Sequence, residues 1–422
     1  MSASEVRAHR ALLLGPIFPP DAGGGLALAL DDLSLALRQR GWIVDRPSIA
    51  VDHTSHEATG AWHPAAPLLT GFLRSSAVVR YQARLSTRVR RWTVNLSRPL
   101  HVIEDASALL AEAEARLRHG EYDVVLACPE QQPPGLLSLA TTLHRLVVAV
   151  SLTALSDEIR YRYLWASVRA LARTRTRGRC HGSLGRPVEA RALSHAVFAS
   201  ETWRRAALCA GLSPDRATTI YFGVSVPPAG TPRAWMNRLL WVGRLSPEKG
   251  LHELLRAFPT VRARVPAIAL TVIASQGPRA YARLIRARLS ALNHESSISF
   301  RGACPRAALT GAYADHDALV FSSVFDEPVA LVVLEAFAAG LPVIAARPRS
   351  RKGPLREDET CVCFDPADPS SLARAVERLQ TDESLRHRLV DRARDVVSRE
   401  FSIETMGFAY DALLRDLVQN RR

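Results

Sequence analysis

Leu319–Ala346 reads LVFSSVFDEPVALVVLEAFAAGLPVIAA, and its alternation of apolar runs and breaks decides the architecture. Leu319-Val320-Phe321 is an apolar run short enough for a buried strand. A polar loop follows, from Ser322-Ser323 to Asp326-Glu327-Pro328. Val329 to Ala339 is apolar and Ala-rich, and Gly340 and Pro342 stop it as a helix is stopped. Val343-Ile344-Ala345-Ala346 makes a second buried strand. Such a strand–loop–helix–strand module belongs in an open parallel sheet, where ligands bind beyond the strand ends. The free N–H groups and dipole of a helix start favour an anion there, such as a diphosphate. Two carboxylates frame this corner, Glu327 on the loop and Glu335 inside the helix. A lone helical Glu is ordinarily a solvated face residue. Glu335, however, stands between Leu334 and Ala336 in an apolar helix, where a carboxylate needs a partner. That context favours a functional role.

A chain of 422 residues has length for two domains, each with its own core. Its 47% hydrophobic content is that of a globular protein. No apolar run approaches the roughly 18 residues of a membrane span. The opening MSASEVRAHRALLLGPIFPP reads as a first strand rather than a signal peptide, because prolines cut its apolar core short. Six cysteines without a CxxC pair or framework spacing fit a reduced, cytoplasmic protein. The net charge of +14 suits an anionic partner, and the Arg-heavy composition accounts for it equally well. No nucleic-acid-binding motif accompanies the charge, so no nucleic-acid partner is expected.

In chain order, ALLLGPIFPP ends in a Pro-rich turn, and Asp21 to Gly25 lead into a helical pattern that Gly41 stops. From Gly71 to Arg98 a basic amphipathic pattern puts Arg80, Arg84 and Arg88 on one helical face. Peripheral contact with an anionic membrane at the cytoplasmic face and a solvated Arg face explain it about equally. Tyr122–Cys128, Leu146–Val150 and Ser194–Ser200 are strand-like; VPPAGTPRAWMN (226–237) is a Pro/Gly-rich linker. Beyond it, LLWVGRLSPEKGLHELLRAF is a strand from Leu239 to Val242, a Gly turn and a helix from Gly250. Arg244 and Lys249 flank that turn, one a planar fork and the other a point charge, both suited to phosphate oxygens. Leu270–Ser275 and Ile298–Ala303 are further strands. Tyr313-Ala314-Asp315-His316-Asp317 invites a metal-binding D-x-D reading, which its place just before the strand at 319 argues against. No metal site is expected.

The spacing Glu-x7-Glu in E-P-V-A-L-V-V-L-E-A-F-A-A-G-L-P-V-I-A resembles the donor signature of the retaining glycosyltransferases of family 4, and G-R-L-x-x-x-K-G resembles their diphosphate element. The likeness spans the chain, strongest from about 239 to 418. It implies an α/β GT-B fold, two Rossmann-like doubly wound domains facing a central cleft. Residues 1–225, with a crossing helix at about 405–422, would form the acceptor domain, and 238–404 the nucleotide-sugar donor domain. It implies a metal-independent hexosyltransferase with no cofactor beyond its nucleoside-diphosphate sugar, a UDP-sugar being favoured. The acceptor would be a small molecule, a glycan or a lipid-linked acceptor. Arg244 and Lys249 would neutralise the leaving diphosphate, Glu327 would attend the sugar, and Glu335 would accept ribose hydroxyls. Gly24, Gly25, Leu331 and Val332 would complete the donor contacts.

The sequence departs from that pattern on the sugar side. Val329-Ala330 replace a usual Phe-Gly, Ser151 stands where a His is usual, and Arg347 to Lys352 replace a Gly-Gly turn. Arg349, Arg351 or Lys352 would there meet an acidic group on donor or acceptor. The rival from another class is a degenerate GT-B protein that binds nucleotide sugar or a partner enzyme without turnover.

Overall fold

The computed structural model describes residues 8–14, 25–47, 111–128, 139–140, 143, 145–151, 193–209, 211–228, 234–275, 277, 279–292, 297–324, 327, 329–347 and 353–421. Gly24, the face carrying Arg80, Arg84 and Arg88, and the cations Arg349, Arg351 and Lys352 lie outside the described residues. Among the described residues no helix is long and apolar enough to cross a membrane.

Among the described residues two six-stranded sheets form, and every strand pairing in them is parallel. The first holds β1 (Arg10–Leu14), β2 (Ile43–Asp45), β3 (Val124–Ala127), β4 (Val147–Ser151), β5 (His195–Phe198) and β6 (Ala217–Thr219), in the order β2-β1-β3-β4-β5-β6. Its strands are short and largely apolar, Val124–Ala127 being fully buried, as parallel strands covered on both faces must be. Two of its connecting helices are α1 (Gly25–Arg38) and α2 (Glu201–Cys209).

The second sheet runs β12-β11-β10-β7-β8-β9. Its strands are β7 (Arg238–Arg244), β8 (Ala269–Ser275), β9 (Ile298–Arg301), β10 (Ala318–Phe321), β11 (Val343–Ala346) and β12 (Val362–Phe364). The chain starts at the centre, winds outward to β9, then returns beside β7 and winds the other way. That order is the doubly wound one, with its reversal between β7 and β10. The helices are α3 (Leu251–Arg264), α4 (Arg279–Ala291), α5 (Arg306–Asp315), α6 (Leu331–Ala338), α7 (Pro369–Thr381) and α8 (Glu383–Glu400), with α9 (Ile403–Gln419) last. Leu251, Leu254, Leu255, Phe258 and Val261 of α3 fall at helical spacing and pack into one core with Trp241 and Val272.

Several element boundaries shift by a residue or more from the sequence expectation, and two of them have a clear local reason. β7 continues past Val242 because Gly243 and Arg244 go on pairing with Ala274 and Ser275. α6 starts at Leu331 rather than Val329, since Ala330 is non-helical (φ −89°, ψ 87°) and the N–H groups of Val333 and Leu334 close on its carbonyl. Its end is as expected: Gly340 takes φ +74°, and the Leu341 N–H reaches back 2.9 Å to the Ala336 carbonyl.

The described residues ahead of Tyr221 form one compact unit with those from Met406 onward, and Tyr221–Thr405 form the second. The division falls a few residues before the expected Ser225. Val224 explains this: its N–H donates to Phe401 O (2.9 Å) and its carbonyl accepts from Ile403 N–H (3.2 Å), while the Tyr221 ring packs on Phe401.

Candidate functional site

The site is built where the second sheet reverses. β7 ends at Arg244, the Leu245 N–H bonds to Ser275 O at 3.0 Å, and Pro247–Lys249 make one tight turn before α3. Gly250 joins turn to helix with φ +68°, and a Cβ there would lie 1.8 Å from the Ser322 carbonyl oxygen, so only glycine fits. From the other side, β10 delivers Ser322 and Ser323. The Trp241 indole donates to Ser322 Oγ (3.0 Å), and that hydroxyl donates to the Lys249 carbonyl (3.0 Å). Ser323 Oγ and the Val324 N–H both bond to the Glu248 carbonyl, at 3.1 and 2.9 Å. Two loops more than 70 residues apart in sequence are thus stitched into one corner.

The charges in that corner are arranged as pairs. Arg244 Nη2 lies 2.7 Å from Glu248 Oε1, and the Ser246 hydroxyl donates to the same oxygen at 2.6 Å. Burial pushes the Glu248 carboxyl up, yet the Arg244 charge and the Ser246 hydroxyl hold it below its ordinary value. Lys249 Nζ lies 2.7 Å from Glu327 Oε2, with side chains 24% and 12% exposed. Glu327 Oε1 is buried and has no hydrogen-bond partner among the described residues. A buried carboxylate oxygen in that state is unusual and marks a place for a donor group.

Glu335 lies on α6, with its side chain 14% exposed. The buried Tyr313 hydroxyl donates to its Oε2 at 2.9 Å, and Arg306 Nε lies 3.4 Å from its Oε1. Leu331 and Val332 head α6, ahead of the first intrahelical N–H bond, which Val333 makes. The structure therefore gathers Arg244, Lys249 and Glu327 around the loops after β7 and β10. Glu335, Leu331 and Val332 share α6. Gly25, by contrast, heads α1 in the first unit, and Ser151 closes β4 there. The D-x-D stretch has a structural role instead. Asp317 Oδ2 accepts from the N–H groups of Met236 and Arg238, and His316 Nδ1 lies 2.7 Å from Ala312 O. Among the described residues no group of three or more metal-ligating side chains comes together.

Sequence reasoning passes over Glu248 and Arg306, and names Tyr313 only as part of the D-x-D stretch. For Glu248 a signal exists, since an acid four residues after Arg244 in a one-turn loop is placed to pair with it. For Tyr313 and Arg306 the signal is their separation of seven, two helical turns on one face of α5.

A diphosphate would be met here by two cations on a strand-to-helix turn, the arrangement that other phosphate sites use. Residues 235–396 match the family model described as Glycosyl transferases group 1. That match lies within the second unit and contains every charged residue just named there. Glycogen synthase of Mycobacterium tuberculosis is 32% identical over 181 residues, 43% of each chain. D-inositol 3-phosphate glycosyltransferase of Corynebacterium glutamicum is 32% identical over 183 residues, again 43% of each. The matched stretch spans less than half the length of these curated relatives. Among solved structures, HepE of Anabaena in complex with UDP and glucose aligns with a TM-score of 0.66 and 17% identity, covering 97% of this chain and 100% of that one. Sucrose-phosphate synthase of Thermosynechococcus elongatus aligns with a TM-score of 0.68 and 18% identity, covering 98% and 100%. At such identities the likeness is one of fold. That fold is GT-B.

Proposed function

We propose that the chain is a retaining glycosyltransferase of family 4 that moves a sugar from a nucleoside-diphosphate sugar to an acceptor hydroxyl. The observation that carries this reading is the corner after β7 and β10. Arg244 and Lys249 sit on a strand-to-helix turn at the sheet's reversal, and Glu327, paired to Lys249, keeps one buried oxygen without a partner among the described residues. A uridine donor is favoured, a preference supported by the UDP and glucose bound in the Anabaena structure.

In this reading the diphosphate shares Arg244 with Glu248 and Lys249 with Glu327. The bond from the anomeric carbon to the diphosphate oxygen breaks, and its electron pair leaves with the diphosphate. The acceptor oxygen bonds to the same face of the sugar, and its proton passes to the departing phosphate oxygen. No side-chain base is required, so Ser151 in the usual His position is compatible with turnover. Arg244 and Lys249 stabilise the charge that develops on the leaving group, without a metal or resident cofactor. Glu327 Oε1 accepts from a sugar hydroxyl and orients the ring. The acceptor is a small molecule, a glycan or a lipid-linked molecule.

The test is a panel of uridine-, guanosine- and adenosine-diphosphate sugars with mixed acceptors, read as transfer or donor hydrolysis. Turnover with at least one donor and retention at the anomeric carbon are expected. Tight nucleotide binding without turnover on any donor would favour a degenerate binder, and no nucleotide binding would overturn the reading.

A further inference from the structure

We propose that Tyr313 and Arg306 are positioning residues that hold the Glu335 carboxylate as a two-point acceptor for the vicinal hydroxyls of a ribose, so that α5 governs discrimination between ribonucleotides and 2′-deoxyribonucleotides. This inference rests on the reading of the second unit as a nucleoside-diphosphate site.

The geometry is specific. Arg306 opens α5 directly after Pro305, and Tyr313 follows seven residues later on the same face. Each addresses a different oxygen of Glu335: the Tyr313 hydroxyl donates to Oε2 at 2.9 Å, and Arg306 Nε lies 3.4 Å from Oε1. A hold on both oxygens fixes the plane of the carboxylate as well as its position. A carboxylate has about four acceptor positions over its two oxygens, so Tyr313 and Arg306 do not by themselves occupy all of them. Ordering a Glu side chain costs rotamer entropy. With the clamp in place that loss falls on folding rather than on binding, which is how preorganisation raises affinity.

Packing alone does not explain the contact. Tyr313 is 4% exposed within an apolar cluster that includes Leu334 and Phe337, where Phe would pack as well. A buried hydroxyl and a carboxylate that is only 14% exposed both carry desolvation costs that an apolar pair would avoid. Burial first, and the Glu335 charge second, push the Tyr313 hydroxyl well above its ordinary pKa, so it remains a donor. The arrangement keeps the carboxylate aimed on the helix whose start would meet the nucleotide.

The experiment titrates the full chain with uridine, guanosine and adenosine diphosphates and their 2′-deoxy counterparts by calorimetry. Wild type is expected to favour at least one ribonucleotide over its deoxy form by about tenfold, the scale of one well-placed hydrogen bond. Tyr313→Phe should bring that ratio to within about threefold of unity while leaving the deoxynucleotide affinity nearly unchanged. Arg306→Gln, a change at a part-exposed side chain outside the core, should lower the same ratio and decides the matter should Tyr313→Phe fold poorly. Both variants retaining the wild-type ratio would overturn the clamp. A wild type that binds none of the three diphosphates would overturn the site reading beneath it.

Discussion

Lys249 and Glu327 face each other across 2.7 Å with little solvent around either, so removing one leaves the other's charge poorly compensated. Lys249→Ala should therefore do two things at once. It should weaken nucleoside-diphosphate binding by about 2–3 kcal/mol, the scale of a lost charge-assisted contact, and it should lower folding stability by about 2 kcal/mol through the stranded carboxylate. Arg244→Ala separates these effects, because the Arg244 side chain is 57% exposed and its removal leaves Glu248 with the Ser246 hydroxyl. It should cost a similar amount of nucleotide affinity with stability nearly unchanged. Glu327→Gln keeps the side-chain shape and should leave nucleotide affinity within about threefold of wild type while turnover falls about 100-fold. Calorimetry, urea titration and steady-state rates read the three quantities. A Glu327→Gln variant turning over at the wild-type rate would refute the role given to that carboxylate.

The strand–turn–helix elements are legible in the sequence wherever burial is two-sided, since a strand covered on both faces is written as a short apolar run. Val343–Ala346 is such a case, and β10 differs from its expected start by one residue. β7 reads short in the sequence because Gly243 and Arg244 pair by backbone alone, which hydropathy does not register. Arg244 and Lys249 are legible as a pair because they share one turn. The partners of Glu335 are not, because Arg306 and Tyr313 reach it from another helix and only packing brings α5 beside α6. Glycines at this scale divide into those that are required and those that are tolerated. Gly250→Ala would place a Cβ 1.8 Å from Ser322 O on a left-handed backbone, and should cost at least about 2 kcal/mol by denaturant unfolding. Gly311 lies inside α5, and a Cβ added there would meet nothing within 4 Å, so Gly311→Ala should stabilise by about 0.5–1 kcal/mol. Equal effects of the two substitutions would contradict that division.

Over the whole molecule, each unit contains a carboxylate held at a low pKa by its helix neighbours. In the first, Arg204 draws Glu201 down to about 2 against the opposing effect of burial, with help from Thr219 and Arg205. In the second, the His252 imidazole does the same for Glu253, again to about 2 and against burial, with Arg256 assisting. A free Glu titrates at about 4.3, so the unfolded chain takes up these protons first as pH falls. The stabilisation is complete above about pH 4.5 and disappears as pH drops toward 2, on the order of 1 kcal/mol per carboxylate because both are part-exposed. Glu253→Gln should flatten this loss in the second unit and leave the first unit's acid response intact, as hydrogen exchange at about pH 3 and pH 5 would resolve. Loss of the acid response in both units at once would show that they do not titrate separately. The stitching of the Lys249–Gly250 turn to Ser322 has a further bearing, on the order of events in folding. Arg244 and Lys249 leave the ribosome more than 70 residues ahead of Ser322 and Ser323, so pairing with β8 sets the end of β7 before β10 can fix the turn that follows it. The entropy of closing that long loop must be met before pairing of β7 with β10 repays it. The Lys249–Gly250 turn is therefore pinned only once the centre of the second sheet has closed, and a nascent chain that has made β7, β8 and β9 holds Arg244 on its strand without yet holding that corner.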